Sequence, residues 1–253
     1  MTGPAILPEG YSLVSLDEID STNDEAKRRI AAGAAEGTVI WARRQTAGKG
    51  RRGRHWVSPE GNLYFSLMLR PQCPAARAAE LSFLAVVALG DIITPLLPPG
   101  GEVGYKWPND LLLNGRKAGG ILLESLGGGG LADWLIVGVG VNLESFPDDT
   151  QYPATALSAA GCRRESPETM LALYVSRFDH WLAMWRDRGF GVVRAAWLEN
   201  AAGLGGPIAV RTDDGTIEGV FRTLNEHGAL EIVDALGKTR VINAGDVFFP
   251  SVR

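Results

Sequence analysis

Residues 45–54, QTAGKGRRGR, combine three glycines with four cationic side chains and contain no acidic residue. Glycine gives a backbone access to positive φ and lets its N–H groups come close to a ligand. Cations beside such amides form a site for a carboxylate or a phosphate. The β-branched and apolar residues 38–42 predict a buried strand that leads into this segment. The pattern therefore indicates an anion-binding loop that follows a strand.

The loop by itself does not identify the anion. A cluster of arginines is also typical of a solvated face or of a nucleic-acid-binding patch. The sequence does not match a P-loop, because no Gly-Lys-Ser/Thr opens a helix after the segment. The whole chain has a formal net charge of −4, whereas a generic nucleic-acid-binding domain is usually basic. The cationic loop is therefore a local feature of a mildly acidic protein.

Length and composition predict one large domain, or a large and a small one. The 253 residues are 45% hydrophobic, which is enough for a substantial core. Cys73 and Cys162 lie far apart and lack the spacing of metal ligands, which indicates two reduced thiols. No apolar run is expected to reach transmembrane length, and residues 1–10 lack the basic and apolar regions of a signal peptide. We expect a soluble, cytoplasmic protein.

The first hundred residues alternate between helical and strand patterns. Thr22 and Glu25 have the spacing of a capping box, which predicts the start of a helix that ends near residues 33–37. Alternation in residues 63–69 predicts a strand with one face in the core. Residues 78–97 predict an apolar helix that ends at a Pro-Pro-Gly-Gly sequence.

The middle of the chain predicts a mainly antiparallel sheet with helices on one side. Asn114-Gly115 between two apolar runs is a strong signal for a β-hairpin. Glycines 127–130 predict a looser turn into a strand over residues 134–142. Large apolar and aromatic residues at helical spacing predict one core helix over residues 167–190.

Residues 200–206 are small and glycine-rich, which predicts a linker. Short strand patterns follow it at residues 208–211, 217–220, 230–233 and 240–242. About fifty residues of short strands predict a small β-barrel. We therefore expect a catalytic domain over residues 1–202 and a C-terminal barrel domain over residues 203–253.

Four segments carry residue types that suit a chemical site. They are Ser21-Thr22-Asn23, the loop 45–54, Lys106-Trp107-Pro108-Asn109-Asp110 with residues 116–122, and Gly138-Val139-Gly140-Val141-Asn142. In this order and spacing the chain resembles the bacterial biotin protein ligases over about residues 12–250. The resemblance implies an α/β fold of the α+β type. Its catalytic domain would be similar to class II aminoacyl-tRNA synthetases and would precede an SH3-like barrel.

The resemblance also implies a two-step reaction. Biotin reacts with ATP, with Mg²⁺, to give biotinyl-5′-AMP and pyrophosphate. A specific lysine of a biotin carboxyl carrier domain then attacks this adenylate. A neutral polar ureido ring needs matched hydrogen-bonding groups in a buried pocket. The implied biotin-binding residues are Ser21, Thr22, Asn23, Gln45, Gly48, Lys49, Gly50, Arg51, Lys117 and Gly120.

The same resemblance assigns residues to ATP and to catalysis. The implied nucleotide-binding residues are Lys49, Arg51, Arg52, Arg54, Trp56, Asn109, Lys117 and Asn142, with Asn142 also a candidate contact to Mg²⁺ through the phosphates. Lys117 and Arg51 are the expected catalytic cations, and Asp110 is expected to orient the acceptor lysine or to act as its base. Trp56 and Trp107 either wall the adenine or pack in the core. Lys49 stands where the usual family pattern has arginine, so the charge remains but bidentate geometry is lost.

Partners follow from the resemblance. They are biotin, ATP and a biotin carboxyl carrier domain. About twenty residues precede Ser21, too few for the helix-turn-helix domain of family members that repress transcription, so we expect no DNA binding. No membrane association is expected, and a monomer and a homodimer both remain open. The Gly48–Arg54 loop is expected to be mobile without ligand and to order over the adenylate.

Two other functions are compatible with parts of the sequence. A lipoate or octanoate transferase would share the fold class and would acylate a similar carrier. Its signature would be a paired-arginine and glycine-rich strand motif or a cysteine nucleophile. Cys73 and Cys162 lie outside all four segments. A nucleic-acid-binding module would use the arginine loop and the barrel, but it leaves Lys117 and Asp110 without a role.

Overall fold

The computed structural model describes residues 6–249. Within that range the chain forms a seven-stranded sheet, a five-stranded sheet, a two-stranded ribbon and five α-helices. The strands in chain order are β1 (Ser12–Ile19), β2 (Thr38–Gln45), β3 (Leu63–Leu69), β4 (Cys73–Pro74), β5 (Val103–Lys106), β6 (Asp110–Leu113), β7 (Arg116–Leu126), β8 (Leu131–Ala132), β9 (Trp134–Val141), β10 (Pro207–Thr212), β11 (Gly215–Leu224), β12 (Leu230–Val233), β13 (Thr239–Ile242) and β14 (Asp246–Phe248). The helices are α1 (Thr22–Ala31), α2 (Ala75–Ala79), α3 (Leu81–Ile93), α4 (Pro167–Arg188) and α5 (Phe190–Glu199).

The large sheet has the order β1-β2-β3-β9-β7-β6-β5. Its neighbouring strands are antiparallel except for the parallel pair β1–β2. The prediction of a mainly antiparallel sheet with flanking helices is therefore confirmed. β4 pairs with β8 in the small ribbon beside α2.

Helices cover both faces of the large sheet, so the expectation of helices on one side was wrong. In β2, Val39 and Trp41 belong to the main core, in which α3, α4 and α5 pack. Ile40 points the other way and packs with Ala26 of α1. Successive side chains of a strand face opposite sides of the sheet. An entirely apolar strand therefore needs a cover on each side.

Both faces of β3 are buried as well, whereas the sequence pattern predicted one face in the core. All seven residues of the strand are buried. Leu63, Phe65 and Leu67 face the main core, while Met68 packs with α1. Ser66 lies on the face toward α1, where its hydroxyl finds polar partners in that helix. A central strand between β2 and β9 has no solvent-facing side.

The predicted capping box at the start of α1 does not form. Ser21 is the residue before the helix, and no side chain caps its first turn. The amide of Thr22 instead donates to Gln45 Oε1 at 2.9 Å. In a capping box, the Glu25 carboxylate would accept the hydrogen bond from the Thr22 amide. Here the side chain of Gln45, at the end of β2, accepts it instead.

The helices after residue 75 also differ from the sequence pattern. The segment Ala75–Leu96 is long and apolar enough to cross a membrane, with a mean hydropathy of 1.7, contrary to our expectation about apolar runs. It is 67% buried, and α3 lies in the core of the protein. The predicted helix over residues 167–190 is confirmed as α4, which Gly189 with φ 75° ends, whereas α5 had no counterpart in the sequence prediction.

The predicted hairpin at Asn114-Gly115 is confirmed. Both residues have positive φ, 48° and 74°, as a two-residue turn of type I′ requires. The register of β6 and β7 shifts between Leu111 and Leu112. This shift places Asp110 opposite Gly120 and so sets the geometry of the site described below.

The five-stranded sheet has the antiparallel order β13-β12-β11-β10-β14 and fits the predicted SH3-like domain. The last strand, β14, had no counterpart in the sequence prediction. Residues 200–206 are held in place, unlike a flexible linker. The amide of Tyr105 donates to the carbonyl of Asn200 at 2.7 Å, and the amide of Ala202 donates back to Tyr105 at 2.9 Å.

Candidate active site

A cavity of about 430 Å³ lies between the ends of the large-sheet strands, the cationic loop and β14. Its volume falls within the range of small-molecule sites. Fourteen of the predicted site residues line it, although they come from five separate parts of the chain. The predicted residues in its wall are Ser21, Thr22, Asn23, Gln45, Lys49, Gly50, Arg51, Arg54, Trp56, Asn109, Asp110, Lys117, Gly120 and Asn142.

One end of the cavity is neutral and polar. Gln45 Oε1 accepts the Thr22 amide and lies 3.1 Å from the Thr22 hydroxyl. Gln45 Nε2 donates to Ser58 Oγ at 2.9 Å, and Ser58 in turn donates to the carbonyl of Trp56. The orientation of the Gln45 amide is therefore fixed by partners on both sides. Such a preoriented set of uncharged donors and acceptors suits a neutral polar ring.

Asn23 is fixed at the same end by internal contacts. Its Nδ2 donates to Glu124 Oε2 at 2.7 Å, and its Oδ1 lies 2.5 Å from the hydroxyl of Ser66. Gly138 lies so close behind it that a Cβ atom there would overlap Asn23 Oδ1. The absence of a side chain at residue 138 is therefore what allows Asn23 to lie on the sheet.

The opposite end is cationic and centres on Asp110. This carboxylate is 6% exposed and pairs with two ammonium groups, Lys117 at 2.6 Å and Lys106 at 3.0 Å. A Cβ atom at Gly120 would lie 3.5 Å from Lys117 Nζ, so the glycine opposite Asp110 leaves the space through which Lys117 reaches it. Two cations and one anion leave a net positive charge in the wall.

The two lysines also control the ionisation of Asp110. Burial favours the neutral acid, but the nearby charges of Lys117 and Lys106 outweigh it and hold the pKa of the Asp110 carboxyl below its ordinary value. Asp110 is therefore a carboxylate at neutral pH, and it is a weak proton acceptor.

Trp56 also forms part of the cavity wall. Its indole ring lies 5.3 Å from Lys117 Nζ, within the range of a cation–π interaction. The ring lies against Gly140, another glycine of the predicted motif on β9. Trp107, the second candidate for an adenine wall, is 2% exposed, and its Nε1 donates to the carbonyl of Gly228 at 3.0 Å. Trp107 is therefore a core residue between the two sheets and does not line the cavity.

The cationic loop covers one side of the cavity. Arg51 Nη1 donates to Asn109 Oδ1 at 3.1 Å, and Lys49 Nζ lies 2.6 Å from Asp24 Oδ2. Arg52 has a positive φ of 54°, which turns the loop sharply. Arg52 lies outside the cavity wall and pairs with Asp213 at 3.1 Å.

Gly48 also lies behind the wall and supports it. A Cβ atom at this residue would lie 2.5 Å from Ser58 Oγ and 3.0 Å from Gln45 Nε2. Glycine is therefore required here for the loop to pass close to the polar end of the cavity.

Within the part of the chain that the structure describes, the cavity wall offers few free ligands to a metal ion. Among residues 6–249 no group of three His, Cys, Asp or Glu side chains is placed to hold a metal. The carboxylate of Asp110 already has two ammonium partners, and Asn142 Nδ2 donates to the carbonyl of Thr155 at 3.0 Å. Mg²⁺ in nucleotide sites is typically held by phosphates, waters and one or two protein oxygens.

The sequence prediction missed several residues of the cavity wall. They include Lys106, Tyr152, Asp246 and Phe248. Lys106 belongs to the Lys-Trp-Pro-Asn-Asp motif, and its position four residues before Asp110 is the available signal. Tyr152 lies 4.7 Å from Lys106 Nζ in a segment without a recognisable pattern. Asp246 and Phe248 belong to β14, which the sequence did not predict.

Comparisons with known proteins agree with this geometry. A model of the biotin/lipoate A/B protein ligase family matches residues 16–142. A model of the biotin protein ligase C-terminal domain matches residues 203–249. The two matches include the cavity residues of both sheets.

Similar proteins span nearly the whole chain. It is 42% identical over 239 residues to the biotin–[acetyl-CoA-carboxylase] ligase of Paracoccus denitrificans, covering 92% of this chain and 99% of that protein. Among solved structures, biotin protein ligase from Aquifex aeolicus in complex with biotin and ATP has a TM-score of 0.78 and 28% identity, covering 93% and 97% of the two chains. The Leishmania major ligase in complex with biotinyl-5-AMP has a TM-score of 0.60 and 26% identity, covering 92% and 98%. This chain therefore belongs to the biotin protein ligase family.

Proposed function

We propose that this protein activates biotin with ATP and transfers the biotinyl group to a lysine of a biotin carboxyl carrier domain. The observation that carries the proposal is a single cavity with a neutral polar end at Thr22 and Gln45 and a cationic end at Lys117. A molecule with a neutral polar ring and a carboxylate fits such a cavity. The cationic loop adds the charge that a nucleotide phosphate requires.

In the first step a biotin carboxylate oxygen attacks the α-phosphorus of ATP. A new phosphorus–oxygen bond forms, and the bond to the leaving pyrophosphate breaks. Both reactants are anions, so fixed cations reduce their repulsion and stabilise the charge that develops. We assign this role to Lys117 and Arg51, with Lys49 and Arg54 as further phosphate contacts. Asn109 orients Arg51, because its Oδ1 accepts from Arg51 Nη1 at 3.1 Å.

In the second step the neutral amine of the acceptor lysine attacks the biotinyl carbonyl. The carbon–oxygen bond to AMP breaks, AMP leaves, and the amine loses a proton. We propose that Asp110 orients the incoming amine, since its lowered pKa makes it a weak base. We further propose that the proton passes to solvent or to the leaving phosphate rather than to Asp110.

Other parts of the proposal concern the setting of the reaction. We propose that Mg²⁺ accompanies ATP and offsets phosphate charge, with Asn142 near it, and that the enzyme acts in the cytoplasm. We place the boundary between the catalytic and C-terminal domains at residues 202 and 203. The loop 48–54 is proposed to cover the adenylate and to exclude water from its anhydride bond.

A direct experiment tests the reaction. The purified protein is incubated with biotin, ATP and Mg²⁺, and pyrophosphate release and biotinyl-5′-AMP are measured. We expect both products before any carrier is added, and labelling of one carrier lysine afterwards. Lipoate or octanoate in place of biotin is the matched control. Activity with these acids and none with biotin would support the transferase alternative and contradict the proposal.

The positions of the two cysteines favour the ligase over a transferase that uses a cysteine nucleophile. Cys73 and Cys162 are buried, and neither lines the cavity. Burial also raises the pKa of both thiols, which disfavours the reactive thiolate.

A further inference from the structure

Three arginines of the cationic loop converge on one carboxylate of the C-terminal sheet. Arg54 Nη2 forms a close ion pair with Asp246 Oδ2. Arg51 Nη1 lies 3.8 Å from Asp246 Oδ1, and Arg52 Nη1 lies 3.8 Å from Asp246 Oδ2. Only Arg51 and Arg54 of these three line the cavity. The carboxylate therefore contacts the loop just where the loop meets the proposed nucleotide site.

The position of Asp246 is set by the strand that it begins. In the register of β14 and β10, Asp246 lies opposite Arg211. Gly245 precedes it, and a Cβ atom there would lie 2.8 Å from Val210 Cγ1 and 2.9 Å from the carbonyl oxygen of Arg211. The chain can therefore approach β10 this closely only because residue 245 is glycine. The carboxylate projects from a fixed strand rather than from a mobile loop.

A second acidic residue provides a natural comparison. Asp213 also pairs with the loop, through Arg52 Nη2 at 3.1 Å, but its side chain is 88% exposed. The side chain of Asp246 is 13% exposed. Water and salt screen an exposed pair strongly and a partly buried pair much less. The two carboxylates carry the same charge and pair with the same loop. Only Asp246 is buried enough for its ion pairs to hold the loop in place.

We propose that Asp246 is a positioning residue that anchors the Arg51–Arg54 segment over the cavity. This inference rests on the proposed ligase function and extends it to the C-terminal sheet. Arginines so close in sequence repel one another, and the shared carboxylate offsets that repulsion before a nucleotide arrives. The loop then presents Arg51 and Arg54 to the phosphates in a preset orientation.

Two further residues of β14 contact the cavity or its lysines. The carbonyl of Val247 lies 3.4 Å from Lys106 Nζ, and Phe248 lines the cavity. β14 thus contacts both cationic groups of the site, the loop and the Lys106–Asp110 pair. A role of the C-terminal sheet in closing the active site follows from these contacts.

Hydrogen exchange of the ligand-free protein tests the anchor. Asp246→Asn keeps the size of the side chain and removes its charge, and Asp213→Asn makes the same change at the exposed site. We expect amide exchange in residues 48–54 to become roughly tenfold faster in D246N, the size typical of a lost charge-assisted contact. D213N should exchange like the wild type. Equal exchange in D246N and the wild type, or equal effects of both variants, would overturn the proposal.

Further variants separate anchoring from a general loss of stability. Arg54→Met removes the partner on the loop side and should accelerate exchange of residues 48–54 as D246N does. In both variants exchange within β10 to β13 should stay unchanged. Faster exchange throughout the C-terminal sheet would instead identify Asp246 as a residue of fold stability and would overturn the anchor. R54M also keeps the test decisive if D246N does not fold.

A second readout follows the intermediate. After one turnover with biotin and ATP, we expect D246N to release biotinyl-5′-AMP into solution roughly tenfold faster than the wild type or D213N. Unchanged release by D246N would overturn the functional part of the inference. If the wild type forms no adenylate, the proposed function fails, whereas the exchange experiment still decides whether Asp246 anchors the loop.

Discussion

The indole ring of Trp56 lies directly against Gly140, so that a Cβ atom at residue 140 would lie 2.7 Å from both Cε2 and Nε1 of the ring. Side chains essentially never approach this closely, so any larger residue would move the ring. The same ring lies 5.3 Å from Lys117 Nζ. The glycine on β9 therefore determines where the wall of the cavity stands relative to its central lysine.

Gly140→Ala should accordingly impair the first chemical step. We expect the rate of pyrophosphate release to fall by roughly tenfold or more, because an error of about 1 Å in a positioned group has costs of this order or larger. Circular dichroism should remain that of the wild type. Gly191→Ala is the matched control, since a Cβ atom at this residue of α5 meets nothing within 4 Å. That control should stabilise the protein by up to about 1 kcal/mol and leave activity unchanged.

Lys117→Ala should abolish adenylate formation without abolishing the fold. Loss of a preset cation from a transition state typically lowers the rate by roughly a hundredfold or more. Asp110 keeps Lys106 as a partner at 3.0 Å, so the buried carboxylate is not left alone. Pyrophosphate release and the thermal unfolding midpoint are measured in parallel, with the exposed Lys238→Ala as control. Near-normal pyrophosphate release by K117A would refute the assigned role.

Arg51→Gly should let activated biotin escape. Arg51 is held by Asn109 and lies beside Asp246 at the cavity, so its removal opens the loop side of the site. We expect free biotinyl-5′-AMP to label the lysines of an unrelated bystander protein such as albumin. Arg188→Gly, on the exposed end of α4, provides the matched change outside the site. Labelling confined to the carrier lysine in R51G would contradict this prediction.

The buried carboxylate of Asp110 should make stability depend on acid pH. Its folded-state pKa lies below the ordinary value of 3.8, so its ionic contacts stabilise the protein above that value. This contribution is lost as the pH falls from 3.8 through the lower folded-state pKa. Asp110→Asn removes the charge and should lower the free energy of unfolding by about 3 kcal/mol at pH 7.

The difference between D110N and the wild type should therefore shrink only below pH 3.8. Urea titrations at several pH values measure it. Asp213→Asn, which changes an exposed carboxylate, should show no such difference at any pH. The difference in free energy of unfolding between D110N and the wild type could instead stay constant down to pH 2, or vanish already near pH 6. Either result would show that Asp110 does not ionise as the geometry requires.

The sequence determined those features that depend on neighbouring residues. The turn at Asn114-Gly115 follows from the positive φ that these residues tolerate, and it fixes Lys117 at the start of β7. The cationic loop, the Lys-Trp-Pro-Asn-Asp motif and the glycines of β9 were likewise identified from local sequence. All of these contribute residues to one cavity.

Tertiary structure decided how those local pieces pair. The acceptor for the Thr22 amide is Gln45 rather than Glu25, because the parallel pairing of β1 and β2 brings the end of β2 to the start of α1. The sequence also did not reveal that both faces of β3 are buried. Apolar residues indicate that a strand prefers burial, but they do not indicate which helices or strands will pack against each face.

Asp246 is the clearest example of a site residue that the sequence alone did not identify. It contacts Arg54 across 192 residues, and its immediate sequence does not identify that partner. Local preferences are set by steric and hydrogen-bonding properties of a few adjacent residues. Long-range pairs form only where the packing of whole sheets is most favourable, so their identity is a property of the folded chain.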